Sequence, residues 1–141
     1  MFEKLFNLVK VNAGTAIMEN PAIPENLREA ALNDASSSII EVLKKQVETG
    51  RLKDLVKYFQ FAGIYENPLI NAATNKFANK LNNYYGLDPK TALEVSQQLI
   101  PQVMQELIRE TKSAQNKDFA LSTLLSKVSG GAISMNMLAM A

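Results

Sequence analysis

The sequence contains no cysteine, no histidine and no tryptophan. Without cysteine the chain forms no disulfide, offers no thiolate nucleophile and cannot hold zinc through thiolates. Without histidine it lacks the commonest general base and the commonest transition-metal ligand. These absences remove most of the side chains on which metal centres and nucleophilic catalysis depend. We therefore expect a protein that is not an enzyme and that binds neither a metal nor another cofactor.

Long apolar runs and a strong net charge are missing as well. No stretch approaches the roughly 20 apolar residues of a transmembrane helix. Glu3, Lys4 and Lys10 interrupt the N-terminal segment, where a signal peptide would have its apolar region. The formal net charge is +1, so the chain as a whole has no long-range attraction for nucleic acid or membrane surfaces. The sequence predicts a soluble, cytoplasmic protein without a transmembrane segment.

What the sequence does contain is helical periodicity. Its 141 residues are 47% hydrophobic, which is enough to bury a core without disulfides or metals. Apolar residues recur at spacings of three and four, and no segment alternates with the period typical of a strand. The periodic segments span about residues 2–17, 24–49, 52–62, 68–85, 89–112 and 118–129. The pattern predicts an all-α protein. It would be a single compact domain of about six helices over residues 1–131, in bundle-like or orthogonal packing, followed by a Met-rich apolar tail over residues 132–141.

A nearly identical pentapeptide occurs twice, as Glu-Asn-Pro-Ala-Ile at 19–23 and as Glu-Asn-Pro-Leu-Ile at 66–70. Asparagine is a favoured N-cap, and proline suits the first helical position because its missing N–H has no intrahelical acceptor there. We interpret both copies as helix starts, and Asp88-Pro89 as a third. Two origins remain open for the repeat: a duplicated helical unit over about 13–50 and 62–86, or two independently chosen caps.

Residues 86–131 carry a further pattern. Leu99-Ile100-Pro101-Gln102-Val103 lies within a helix that begins after Gly86-Leu87-Asp88, and a closing helix with Leu121, Leu124 and Leu125 precedes Gly130-Gly131. Proline inside a helix removes one backbone hydrogen bond, so we expect a kink near residues 97–101. This segment resembles the YidB-like family of small bacterial helical domains. The family is of unknown function, so the resemblance implies a helical fold and a bacterial setting and supplies no catalytic residue.

Five basic residues cluster around one predicted turn: Lys44, Lys45, Arg51, Lys53 and Lys57. Such a cluster is able to contact phosphates. However, Glu48 and Asp54 interleave with it, and no aromatic or glycine pattern accompanies it. A solvated surface, or packing near the acidic first third of the chain, explains the cluster equally well.

Asparagines recur every fourth residue from Asn67 to Asn83. At 100° per residue this row lies opposite the apolar stripe that contains Phe77 and Leu81, so we expect it to face solvent. It is either a simple solvated face or a polar strip for a ligand.

Other residues with chemical potential favour structural roles. The run Ser36-Ser37-Ser38 would need a lysine or carboxylate as its base, because histidine is absent. Paired carboxylates such as Glu25 with Glu29 and Glu106 with Glu110 lack the histidines of a di-iron bundle. The aromatic pairs Tyr84-Tyr85 and Phe59-Gln60-Phe61 either join the core or line a small pocket.

Three functions remain after these exclusions. The leading hypothesis is a protein–protein interaction or self-association domain, acting through the N-terminal helix or through Met135, Met137 and Met140, whose side chains adapt to apolar partners. The first alternative is binding of a small molecule or lipid between helices near Pro101. The second alternative is weak nucleic-acid binding through the Lys44–Lys57 region, which the near-zero net charge makes the least expected.

Overall fold

The computed structural model describes residues 2–51, 57 and 68–111. These residues form four α-helices, which are α1 (Phe2–Asn12), α2 (Arg28–Glu48), α3 (Pro68–Tyr85) and α4 (Pro89–Thr111). A π-helical turn (Gly14–Met18) and a 3-10 turn (Glu25–Leu27) lie between α1 and α2. No strand occurs in this part of the chain, and the predicted all-α class is confirmed. The segments expected to be helical at 52–62 and 118–129, and the tail at 132–141, fall outside the described residues.

The helices pack in a sequential arrangement. α3 and α4 share the largest interface, α2 packs on α3, and α1 covers α4 and α2. α3 and α4 are joined by the short turn Gly86-Leu87-Asp88, in which Gly86 adopts a φ of 70° that residues with a Cβ rarely accept. Of the helices that the structure describes, none is both long enough and apolar enough to cross a bilayer.

The apolar stripes meet in one core, as the helical spacing predicts. Phe77 and Leu81 of α3 and Leu99 and Ile100 of α4 are fully buried, together with Leu43 of α2. Burying a side chain of this size stabilises the fold by roughly 1.5–3 kcal/mol. Ser96 of α4 is buried too, and its Oγ donates a 2.6 Å hydrogen bond to the Thr74 carbonyl of α3.

One residue that the helical spacing assigns to the buried stripe of α3 is exposed in the structure. Tyr84 was expected on the buried face with Leu81, but its side chain is 70% exposed. Tyr85 turns inward instead, because it is four residues from Leu81 and finds a polar partner in Asp34 of α2. The last inward position of α3 is therefore filled by an aromatic ring with a hydrogen-bonded hydroxyl.

The first copy of the repeated pentapeptide precedes a helix that begins near residue 24, as the sequence predicts, but Asn20 is not the cap of that helix. Asn20 Oδ1 accepts a 2.9 Å hydrogen bond from the Ala22 N–H, so the asparagine closes a local turn. Helical structure begins only after Pro24, with the 3-10 turn that leads into α2. Pro68 of the second copy is the first residue of α3, as predicted, whereas Asn67 lies outside the described residues.

Asp88-Pro89 starts a helix in the predicted way. Asp88 Oδ2 accepts a 3.2 Å hydrogen bond from the Thr91 N–H, which satisfies one of the free donors in the first turn of α4. Hydrogen bonds from the side chain and then the backbone of Thr91 lower the pKa of this carboxyl below its usual value of 3.8. α4 continues through Pro101 as one helix, and the kink expected there stays a prediction.

Candidate functional site

A series of polar contacts lies along one edge of the interface between the antiparallel helices α2 and α3. At one end the Tyr85 hydroxyl donates a short hydrogen bond to Asp34 Oδ2. Burial raises the pKa of the Tyr85 hydroxyl above its usual value of 10.0, and the hydrogen bond and the negative charge of Asp34 raise it further. This contact fixes the start of α2 against the end of α3.

Further along the interface, Lys80 and Lys76 of α3 meet Glu41 of α2. The distance from Glu41 Oε2 is 3.1 Å to Lys80 Nζ and 3.5 Å to Lys76 Nζ. Lys80 Nζ also lies 3.1 Å from Ser37 Oγ. Two lysines thus share one carboxylate, and each successive contact lies about one helical turn beyond the last.

The series of contacts stops at the next turn, and a cleft begins there. One turn beyond Glu41 on α2 is Lys45, and one turn beyond Lys76 on α3 is Ala72, whose methyl group offers Lys45 no charge. An open cleft of about 360 Å³ lies at this point between the helices. Its lining residues, here called the α2–α3 cleft, are Glu41, Val42, Lys45, Gln46, Arg51, Ala72, Asn75, Lys76 and Asn79.

The α2–α3 cleft is basic. Among the described residues, three cationic side chains, Lys45, Arg51 and Lys76, line it against a single carboxylate, that of Glu41. Glu41 is already engaged by Lys76 and Lys80. Within the described residues neither Lys45 nor Arg51 has an acidic partner, so the local potential favours an incoming anion.

Local chain geometry brings Arg51 to the cleft. The Arg51 N–H donates 2.9 Å to the Gln46 carbonyl, and the Gly50 N–H donates 3.2 Å to the Val47 carbonyl. These two bonds form a Schellman motif, which requires the φ of 75° that Gly50 adopts. The glycine that the sequence marks as the end of α2 therefore also folds the chain back and places Arg51 beside the last turn of that helix.

Gln46 lines the cleft, but its side-chain oxygen is turned away from it. Gln46 Oε1 is inaccessible to water and has no hydrogen-bond donor among the described residues. A buried carbonyl without a donor costs roughly 1–3 kcal/mol, and native proteins contain few of them. Because this atom is buried, it adds nothing to the polar surface that the cleft offers a ligand.

The structure divides the basic cluster that the sequence indicates. Lys45 and Arg51 line the cleft together, whereas Lys44 points elsewhere and pairs with Glu48 at 3.9 Å. Lys57 is exposed, and Lys53 lies outside the described residues. Lys76 was not singled out from the sequence. It is far from the cluster along the chain, and only the packing of α3 on α2 brings it there.

The asparagine row faces solvent, as predicted. Asn71, Asn75, Asn79 and Asn83 are all exposed, and Asn67 lies outside the described residues. Asn75 and Asn79 also line the α2–α3 cleft. The two polar patterns of the sequence, the asparagine row and the basic cluster, therefore share one surface, and the amides add neutral hydrogen-bond donors and acceptors to the cations.

The serine run contacts a lysine but does not form a nucleophile–base pair. Lys80 Nζ is the donor both to Ser37 Oγ and to Glu41 Oε2. Ser37 and Ser38 donate in turn to the Asp34 carbonyl within α2. A general base needs a free lone pair directed at the hydroxyl, and a lysine that donates to a carboxylate does not offer one. These contacts hold α3 on α2.

The paired carboxylates are separate surface groups in the part of the chain that the structure describes. Glu25 and Glu29 are exposed, and Glu106 accepts from Asn12 Nδ2 at 3.0 Å and lies 3.7 Å from Arg109. No group of three potential metal ligands occurs among the described residues.

A second cleft lies beside Pro101, where sequence reasoning placed the small-molecule alternative. It measures about 500 Å³, and its lining residues are Val11, Asn12, Gly14, Thr15, Ala16, Gln98 and Gln102. None of the described residues that line it carries a charge, and one of them, Val11, is 79% exposed. Met135, Met137 and Met140, and the aromatic pair at Phe59 and Phe61, lie outside the described residues.

No family model, curated protein or solved structure matches this chain. The resemblance of residues 86–131 to the YidB-like family, and the bacterial setting it implies, therefore stay predictions.

Proposed function

We propose that this chain is a non-enzymatic helical interaction domain that binds an acidic segment of a protein partner in the α2–α3 cleft. The observation that carries the proposal is that Lys45 and Arg51, two cations without acidic partners among the described residues, line the same open cleft. The proposal keeps the interaction role that the composition favours and assigns it to a defined surface.

The chemistry of an acidic peptide fits each part of the cleft. An aspartate or glutamate side chain supplies a carboxylate for Lys45 and Arg51, and arginine binds carboxylates with two parallel hydrogen bonds. Asn75 and Asn79 are able to bond the peptide backbone on either side.

The cleft is open and its cations are exposed, so the expected affinity is modest. A solvent-exposed ion pair contributes only roughly 0–1 kcal/mol. We therefore expect dissociation constants of about a millimolar or weaker at moderate salt, with tighter binding at low salt, where the charges are less screened.

The cleft beside Pro101 supports a second candidate function. Its volume of about 500 Å³ lies within the range of small-molecule sites, and its lining is neutral. The lining side chains of Asn12, Thr15, Gln98 and Gln102 suit a neutral, hydrogen-bonding ligand better than a lipid chain. Native mass spectrometry of freshly purified protein tests this candidate, because a retained neutral ligand would add its mass to that of the chain.

Fluorescence anisotropy of a short labelled peptide rich in glutamate and aspartate tests the main proposal, and the same peptide with glutamine and asparagine is its neutral control. We expect the acidic peptide to bind at about 20 mM salt and to be released near 500 mM. The double substitution Lys45→Gln and Arg51→Gln should weaken binding at least tenfold, while Lys90→Gln, an exposed lysine outside the cleft, should leave it unchanged.

Two outcomes would overturn the proposal. The first is equal binding of the acidic and neutral peptides. The second is a labelled DNA or RNA oligonucleotide that binds more tightly than the peptide and loses its affinity in the same double variant, because it would assign the cleft to phosphates. A cytoplasmic location is part of the proposal, and fractionation of cells that produce the protein checks it.

A further inference from the structure

The end of α2 opposite the cleft carries the complementary charge. The segment over residues 19–29, here called the acidic turn, exposes Glu19, Glu25 and Glu29. Its cation, Arg28, is directed back onto the chain, where its guanidinium donates to the Asn20 and Ile23 carbonyls at 3.2 Å. The acidic turn therefore presents carboxylates outward at one end of the molecule, and the cleft presents cations at the other.

The same chain cannot bring these two surfaces together. Glu29 of the acidic turn and Lys45 of the cleft are both in α2, and the rise of the helix separates them by about 24 Å. The acidic turn ends in the first turn of that helix, and the cleft lies beside its last two turns. Only a second copy is able to place an acidic turn against a given cleft.

The conformation of the acidic turn is restricted by its own packing and hydrogen bonds. Ile23 is fully buried and anchors it, while Pro21 and Pro24 restrict its backbone and are themselves exposed. Hydrogen bonds from Asn20 Nδ2 to the Ala16 carbonyl and from the Arg28 guanidinium to the Asn20 carbonyl close it at its base. Such a preorganised segment loses little conformational entropy on binding.

Its side chains match the contents of the cleft by type. Glu25 and Glu29 are four residues apart and supply carboxylates for Lys45 and Arg51.

We propose that the acidic turn of one copy occupies the α2–α3 cleft of the next, so that the chain assembles head to tail. This inference rests on the proposed function, since it names a second copy as the source of the acidic segment. Two different surfaces meet in such an interface, so the assembly either closes into a ring or grows as an open chain.

Sedimentation velocity of the wild-type protein at two salt concentrations is the first test. At about 20 mM salt, where charges act over roughly 20 Å, we expect the average mass to rise with protein concentration to at least twice that of a monomer. Near 500 mM salt the protein should sediment as a monomer.

Complementation between two neutralised variants is the decisive test. The cleft variant carries Lys45→Gln with Arg51→Gln, and the turn variant carries Glu25→Gln with Glu29→Gln. Each should be monomeric alone at low salt, because each has lost one half of the interface. An equimolar mixture should form a dimer of one cleft variant and one turn variant that does not grow further. Lys90→Gln and Glu94→Gln, which change exposed charges elsewhere, should assemble like the wild type, and circular dichroism confirms that all variants keep their helices.

The outcomes separate this inference from the proposed function. A wild-type chain that stays monomeric at low salt while its cleft binds the acidic peptide would overturn head-to-tail assembly and leave the peptide site in place. Assembly that survives in both neutralised variants would also overturn it, since another surface would then be responsible. If the wild-type protein neither assembles nor binds the acidic peptide, then both proposals are wrong.

Discussion

Glu41 of α2 and Lys80 of α3 form a 3.1 Å ion pair at the edge of the α2–α3 cleft. Lys76, which lines the cleft, shares the same carboxylate at 3.5 Å. The pair helps to fix α3 against α2, and at the same time it places a negative charge where an incoming anion would bind. Glu41 therefore stabilises the fold but weakens anion binding in the cleft.

Replacing Glu41 with glutamine should strengthen the binding of acidic ligands. The amide removes a like charge and releases Lys76, so we expect a two- to fivefold gain in peptide affinity. The free energy of unfolding should fall by roughly 0.5–1 kcal/mol, the usual contribution of an exposed ion pair. Anisotropy and urea unfolding measure the two effects. Glu48→Gln, which removes a carboxylate outside the cleft, is the matched control, and weaker binding by the Glu41 variant would contradict the expectation.

Replacing Ala72 with glutamate should close the site to acidic ligands. The introduced carboxylate continues the series of contacts by one turn, within reach of Lys45, and competes with any ligand anion. We expect peptide affinity to fall at least fivefold with little change in stability, because position 72 is exposed. The control variant Ala72→Gln introduces a side chain of nearly the same size as glutamate but without its charge. If both variants bind equally poorly, then steric obstruction is responsible and the electrostatic explanation is wrong.

Gly50→Ala should damage both the fold and the site. The φ of 75° at this position is unfavourable for residues with a Cβ by roughly 1–2 kcal/mol. Relief of that strain would move Arg51, so peptide binding should weaken as well. Gly14→Ala is the contrasting variant, because its φ is not in the left-handed region and an added Cβ there meets no neighbouring atom. We expect Gly14→Ala to be neutral or to stabilise the protein by up to about 1 kcal/mol in thermal unfolding.

The Tyr85–Asp34 hydrogen bond predicts a dependence of stability on alkaline pH. The pKa of Tyr85 is raised in the folded protein, so the folded state holds the phenolic proton more tightly than the unfolded state does. The stabilisation is complete below the unfolded pKa of about 10 and is lost as the pH rises above it. Urea unfolding between pH 7 and pH 11 should show this loss in the wild type and a smaller one in Tyr85→Phe. Parallel pH profiles for the two proteins would exclude a role for this hydroxyl.

Asp88 predicts the opposite dependence, in acid. Its pKa is lowered by hydrogen bonds from Thr91, so the unfolded state binds a proton more readily than the folded state does. The stabilisation is present above the usual carboxyl pKa of 3.8 and is lost as the pH falls through the lower folded value. Asp88→Ala should therefore be less stable than the wild type at pH 7, and the difference should shrink towards pH 2.5. A difference that does not change with pH would show that the charge of the cap is unimportant.

Much of the fold follows from local patterns in the sequence. The spacing of Phe77 and Leu81 marks the buried face of α3. Gly50 and Gly86 mark helix ends because glycine readily adopts the left-handed φ found at both positions. Pro24 marks the start of the second helical segment, whereas Asn20 closes a local turn ahead of it and does not cap the helix. Tyr84 and Tyr85 are adjacent, and the choice of which turns inward depends on Asp34, far away in the chain.

The sequence indicated only separate parts of the candidate site. Lys45 and Arg51 belong to a basic cluster in the sequence, and Asn75 and Asn79 to a regular asparagine row, but no local pattern connects the two. Lys76 has no distinguishing signal in the sequence. Its importance depends on which neighbours remain unpaired after the helices have packed.

The sequence by itself determined that the chain folds as amphipathic helices, where most of them begin and end, and which side of each is apolar. Those properties depend on residues within a turn or two of one another, through backbone conformation, capping and the periodicity of apolar side chains. The tertiary structure alone decided that α2 and α3 pair antiparallel, that Glu41 contacts two lysines, and that Lys45 lines a cleft together with Ala72. The register of two packed helices is a compromise among all their side chains at once, and the charges it leaves without partners cannot be deduced from either helix separately.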